Sequence, residues 1–188
     1  MEEMSFEQGP IRPPSEARSL LVRVTRNCPW NKCAFCNSYR DTAFSLRTVE
    51  EVRNDIRAAG EIAAEIRSLS WQMGEGGRVT ADVINRIWNP DGPYSDGFRS
   101  VGAWLYYGGE SVFLQDANSL IVKTADLVEI LHFVKETFPH VTRITSYCRS
   151  KTAARKSVEE LKSLREAGLS RIHIGMESGY DPLLAFIR

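Results

Sequence analysis

The stretch "SLLVRVTRNCPWNKCAFCNSYR", Ser19 to Arg40, decides how this chain is to be read. Its first seven residues, Ser19 to Thr25, are rich in Leu and Val and predict a short strand. The strand runs directly into a loop that holds three of the four cysteines, Cys28, Cys33 and Cys36. A strand that delivers a polar, chemically capable loop is the basic unit of a parallel α/β sheet, where function collects beyond the C-terminal strand ends.

The rest of the chain repeats that unit. Residues 48–70, "TVEEVRNDIRAAGEIAAEIRSLS", predict a long helix: Thr48 and Glu51 fit a capping box. Val49, Val52, Ile56, Ala59, Ile62, Ile66 and Leu69 form its apolar stripe. Residues 71–109 interrupt the pattern with the loop chemistry of "GEGG" and "NPDGPYSDG", and two shorter helices are expected there, near Thr80–Trp88 and Gly97–Tyr107. A second strand follows at Ser111–Leu114. Thr124 is expected to cap the next helix, whose apolar face is Leu127, Ile130, Leu131, Val134 and Phe138. "VTRITSY" is a third strand. "SVEELKSLREAGLS" is a helix with Ser157 and Glu160 as capping box and Gly168 as C-cap. "RIHIGM" is a fourth strand and "YDPLLAFIR" opens a further helix.

The expected fold class is therefore α/β: a partial βα barrel of parallel strands with about four βα units and a helical insertion between the first helix and the second strand. The organisation expected is a loosely ordered lead-in over 1–18, kept from helix by Pro10, Pro13 and Pro14, and a core over 19–188 with the insertion at about 71–109. The final helix has no C-cap before Arg188, so the core is expected to be incomplete, with the edge of its fourth strand unpaired. The polar clusters all fall after strands: the cysteines, Gln115–Asn118, Cys148–Arg149 and Glu177–Asp181.

Composition bounds the function. Lys+Arg and Asp+Glu are 24 each and the formal net charge is zero, so there is no nucleic-acid footprint in the overall charge. No apolar run is long enough to span a membrane. The acidic opening "MEEMSFEQ" is unlike a secretory leader, and the default location is the cytoplasm. Thiols stay reduced there, so crowded cysteines point to metal or catalysis rather than disulfides.

The spacing C-x4-C-x2-C leaves three readings open. The thiols could be free and unconnected. They could bind structural zinc, with a fourth ligand from Cys148, His132, His140 or His173, none of them at a familiar finger spacing. Or they could hold a [4Fe–4S] cluster through three thiolates, leaving one iron open to a small molecule.

On these residues the chain resembles the radical S-adenosylmethionine (SAM) enzymes. Their common motif, C-x3-C-x-φ-C with φ aromatic, lies in the loop after the first strand of a partial barrel. Cys28, Cys33 and Cys36 match its thiolates and Phe35 its aromatic residue, with one residue more in the first spacing. The closing "IHIGMESGYDPLLAFI" is similar to the fourth strand and following loop of the subgroup containing oxygen-independent coproporphyrinogen oxidases and methylthiotransferases.

The resemblance implies a [4Fe–4S] cluster, SAM bound at its open iron, and reductive cleavage of SAM to methionine and a 5′-deoxyadenosyl radical. It implies two further βα units, an external one-electron reductant such as flavodoxin or ferredoxin, and a substrate, a small molecule or other, whose identity this sequence does not carry. It also implies a polar segment near the SAM amino group at the end of the second strand. By position that segment is Gln115 to Asn118, with Asp116 as the ammonium contact and Gln115 and Asn118 beside it. The literal "GGE" at Gly108–Glu110 precedes the strand and reads as a helix C-cap and turn. Arg149 is the expected partner of the SAM carboxylate, Glu177 and Ser178 of its ribose or methionine end, and Phe35 of its adenine. Cys148 and Tyr147 read as packing residues and His173 as a packed or hydrogen-bonded one. The alternative of another class is an iron–sulfur or electron-transfer module without SAM chemistry, and the third a structural zinc domain.

Overall fold

A computed structural model of the chain describes residues 5–187. Four short strands, β1 (Leu20–Arg23), β4 (Ser111–Gln115), β5 (Arg143–Tyr147) and β6 (Leu169–His173), form one parallel sheet in the order β1-β4-β5-β6. Two-residue strands β2 (Thr25–Arg26) and β3 (Ser45–Leu46) make a separate antiparallel ribbon. Each main strand lies beside its predecessor in sequence. This is the arrangement of a barrel wall, but β1 and β6 remain the two edges and no barrel closes.

Helices supply the crossovers. α1 (Val49–Gln72) carries the capping box: Thr48 Oγ1 accepts from the Glu51 amide, and Glu51 Oε2 accepts from the Thr48 amide at 2.7 Å. Its stripe is buried at Val52, Ile56, Ala59, Ile62 and Ile66, with Val49 and Leu69 at the margins. Each fully buried Ile there contributes about 1.5–3 kcal/mol. α4 (Thr124–Thr137) packs against α1, burying Leu127, Ile130, Leu131 and Val134, with Phe138 buried just beyond its end. α6 (Val158–Glu166) packs on α4 and has the expected box at Ser157 and Glu160. The insertion forms α2 (Ala81–Ile87) and α3 (Asp96–Tyr106), which pack on each other and, through α3, on α1. A single turn, α5 (Ser150–Ala153), follows β5, and α7 (Asp181–Phe186) follows β6.

The structure differs from the sequence reading at β6, at the cysteine-loop ribbon and in the lead-in, besides small shifts at strand ends. β6 begins two residues earlier than expected and ends at His173, because Gly168, at φ 115°, reverses the chain straight from α6 into the strand. Ile174 and Met176 are consequently exposed. The β2–β3 ribbon was not anticipated. The lead-in is not loosely ordered from residue 5 onward. Gly9 donates its amide to Gln115 Oε1 at 2.8 Å, and Gln115 Nε2 donates to the carbonyls of Gly9 and Ile11. Glu7 pairs with Arg23 and Arg26. Glu16 is fully buried, in contact with Arg143 at 2.6 Å and His173 at 3.1 Å. The three prolines still limit helix to one 3₁₀ turn, Pro14–Glu16. Among the described residues, no helix is long and apolar enough to cross a membrane.

Candidate functional site

The cysteine loop, residues 27–44, leaves β2 and returns in β3, so the ribbon pinches its base. Inside, the loop is shaped by polar residues that tolerate left-handed backbone: Asn27 (φ 67°), Asn31 (φ 45°) and Asp41 (φ 62°). Asn27 donates its side-chain amide to the Ala43 carbonyl at 2.6 Å, and Asn31 donates to the carbonyls of Tyr39 and Thr42. The Cys36 amide donates to the Cys33 carbonyl, which places these two cysteines on one turn. All three loop thiols are partly exposed, whereas Cys148 is buried.

Charge reveals what surrounds the loop. Burial pushes the Cys33 thiol up, and Glu177, Cys28 and Cys36 push the same way while Arg149 opposes them. Cys33 thus feels the other two loop cysteines together with one residue from beyond β5 and one from beyond β6. The Arg149 guanidinium lies over the Trp30 ring at 5.0 Å, and the Ala34 amide donates to the Ile187 carbonyl just beyond α7. Cys148 belongs elsewhere: burial raises its thiol, and the Ala153 backbone and Lys156, which lower it, are its other influences. Its Sγ contacts the Arg149 carbonyl at 3.2 Å.

Among the described residues, no three His, Cys, Asp or Glu side chains gather as a group that could hold a metal ion. The chemistry of the donor set fits an iron–sulfur cluster, three thiols on one loop with two on one turn; the loop as it stands is not a closed metal centre. The histidines considered for zinc are on other business. His132 is exposed on α4, His140 lies against Trp104, and His173 bonds Glu16.

The residues after β4 are engaged within the chain. Gln115, Asp116 and Asn118 are at most 1% exposed, and each is satisfied from within the chain. Gln115 clasps the N-terminal segment, as above. Asp116 Oδ2 meets Arg23 at 2.6 and 2.8 Å and accepts from the Asn27 amide at 2.8 Å, while Oδ1 accepts from the Tyr39 hydroxyl at 3.0 Å. Asn118 accepts from the Arg149 amide and donates to Thr152 Oγ1. A polar run at a buried rim needs partners, and here the N-terminal segment, Arg23 of β1, the cysteine loop and the α5 turn provide them. In this arrangement both oxygens of Asp116 already accept hydrogen bonds from the chain. Burial and the Asp116 charge hold the Tyr39 phenol well above its usual range.

The remaining expected residues are more accessible. Phe35 is 55% exposed and Glu177 is exposed. Ser178 accepts from the Tyr180 amide, a local turn bond. The "GGE" segment is the turn expected of it: Gly108 (φ 102°) and Gly109 (φ 67°) end α3, and the Glu110 carbonyl accepts from Thr142 and Arg143 at the start of β5. Sequence reasoning missed Arg23, Asn27 and Tyr39 as the residues that couple the loop to the rim. The signal was present for Asn27 alone, since asparagine just after a strand suits a left-handed turn.

No family model, curated protein or solved structure gave a match to this chain.

Proposed function

We propose that this chain carries the cluster-binding core of a radical SAM enzyme. The observation that supports the reading is the cysteine loop: Cys28, Cys33 and Cys36 follow the first strand of a parallel sheet, with Arg149 and Glu177 acting on Cys33 from beyond two other strands. Cys28, Cys33 and Cys36 would hold a [4Fe–4S] cluster. When bound, the cluster supplies one electron, received from a reductant such as flavodoxin or ferredoxin, to break a carbon–sulfur bond of SAM. The chain's own residues orient and shield. Arg149 offers a guanidinium to the SAM carboxylate, Glu177 a carboxylate to the ribose or the ammonium group, and Phe35 an exposed ring to the adenine. Asn118 fixes the backbone from which Arg149 projects.

A second reading rests on a specific observation. Gln115, Asp116 and Asn118 are buried and already hydrogen-bonded within the chain, which favours a cluster-binding or electron-transfer module that does not take SAM. The test is anaerobic reconstitution with iron and sulfide, followed by SAM and a strong reductant. Release of 5′-deoxyadenosine and methionine supports the enzyme reading. A reducible cluster that leaves SAM intact supports the module, and a protein that takes up zinc without sulfide overturns both.

A further inference from the structure

A cleft of about 890 Å³ lies between the N-terminal segment and the insertion, away from the cysteine loop. None of its lining residues belongs to that loop or to the residues after β4, β5 and β6. It therefore stands independently of the function proposed above. Its volume suits one small ligand rather than a polymer.

Its chemistry is one-sided. Arg12 and Arg18 come from the N-terminal segment and Arg99 from α3; the one carboxylate on the lining is Asp96. Arg12 has no ion-pair partner among the described residues. The Arg18 guanidinium lies 4.5 Å from the Tyr107 ring centre and makes no ion pair either. Arg99 reaches Asp96 at 3.4 Å through Nη1, yet its Nε is buried with no hydrogen-bond partner. Beside these cations stand aromatic rings that the core does not use: Trp88 is 54% exposed and Tyr107 52%. Guanidiniums suit phosphate or carboxylate oxygens, and exposed rings suit stacking on a planar group.

We propose that this cleft binds a small anion carried on a planar aromatic ring, a nucleoside monophosphate being the representative, with the anion on Arg12, Arg18 and Arg99 and the ring against Trp88 and Tyr107. Residues 71–109 form one wall of the site because helices α2 and α3 bring Trp88, Arg99 and Tyr107 together.

Equilibrium dialysis of the intact chain with AMP, adenosine and inorganic phosphate tests this. AMP is expected to bind at least tenfold more tightly than either half. The double variant Arg12→Gln/Arg18→Gln should weaken AMP at least tenfold while adenosine binding is unchanged, and Trp88→Ala should weaken AMP and adenosine together. Melting curves establish that the variants are folded; if the double variant fails to fold, the three-ligand comparison on the parent decides. AMP binding no tighter than adenosine or phosphate overturns the proposal, as does a folded double variant that binds AMP like the parent. Tighter binding of a single-stranded oligonucleotide than of AMP would overturn the small-ligand site in favour of a polymer surface.

Discussion

Arg23 and Asp116 form a buried ion pair, Nη2 to Oδ2 at 2.6 Å, that joins the end of β1 to the residue after β4. Asp116 is fully buried and the Arg23 side chain is 13% exposed. Removing one partner of such a pair strands the other charge. Asp116→Ala is expected to cost about 3–5 kcal/mol, toward the lower end because Glu7 stays bonded to Arg23. The shift of the urea midpoint measures it. A variant as stable as the parent would mean that Asp116 is held for ligand binding and not for the fold.

The N-terminal segment crosses Asp116 at Gly9, where a Cβ would lie 2.1 Å from Oδ1 and 3.0 Å from Cγ. The aspartate cannot give way without breaking its bonds to Arg23, Asn27 and Tyr39. Gly9→Ala is expected to lift the segment, to cost about 1–3 kcal/mol, and to open residues 5–18 to limited proteolysis. Gly179→Ala, where a Cβ meets nothing within 4 Å, serves as the control and should leave both measurements unchanged. Equal protease resistance in Gly9→Ala and the parent would show that the segment is not seated on Asp116.

Acid should loosen the same region. The Arg26 hydrogen bond holds the Glu7 carboxyl below its usual range. Burial pushes Glu16 up, but hydrogen bonds from Ser19, Arg143 and His173 outweigh it and leave that carboxyl low. The Thr48 backbone and Arg26 bring Glu51 down to about 2. Groups with lowered folded values stabilise the fold above the unfolded pKa of ~4.3, and that stabilisation is lost as pH falls through the folded values. Asp55 acts in the opposite sense. Burial raises its carboxyl against the pull of Arg47, so its penalty lifts as pH falls. The melting temperature is expected to drop below pH ~4.3, and the drop should be shallower in Glu7→Gln. A parallel pH dependence for parent and variant would remove Glu7 from this account.

How far these relationships could be read in the sequence depended on whether their cause was local. Thr48 with Glu51 and Ser157 with Glu160 are three-residue signals, and both boxes formed. The α1 stripe sits at helical spacing, and its central positions are buried. β4 extends one residue beyond its expected end, to Gln115. By contrast, Gly9 with Gln115 and Arg23 with Asp116 are separated by about a hundred residues and leave no periodic trace. The same polar run, Gln115 to Asn118, reads as a ligand rim in sequence and as a clasp in the structure, because composition says that a buried rim needs partners and not which chain segment will supply them. The β2–β3 ribbon is only two residues on each side, too short for alternation to announce it.

The central claim is that three particular thiols hold an iron–sulfur cluster, and the direct measurement is iron and acid-labile sulfide per chain after anaerobic reconstitution, with the visible absorption of the cluster, for the parent and four single variants. Equal iron and sulfide, approaching the four of each that a cubane contains, are predicted for the parent and for Cys148→Ala, with loss in Cys28→Ala, Cys33→Ala and Cys36→Ala. Retention of the cluster in Cys33→Ala together with its loss in Cys148→Ala, or stoichiometric zinc with no sulfide in the parent, would contradict the account.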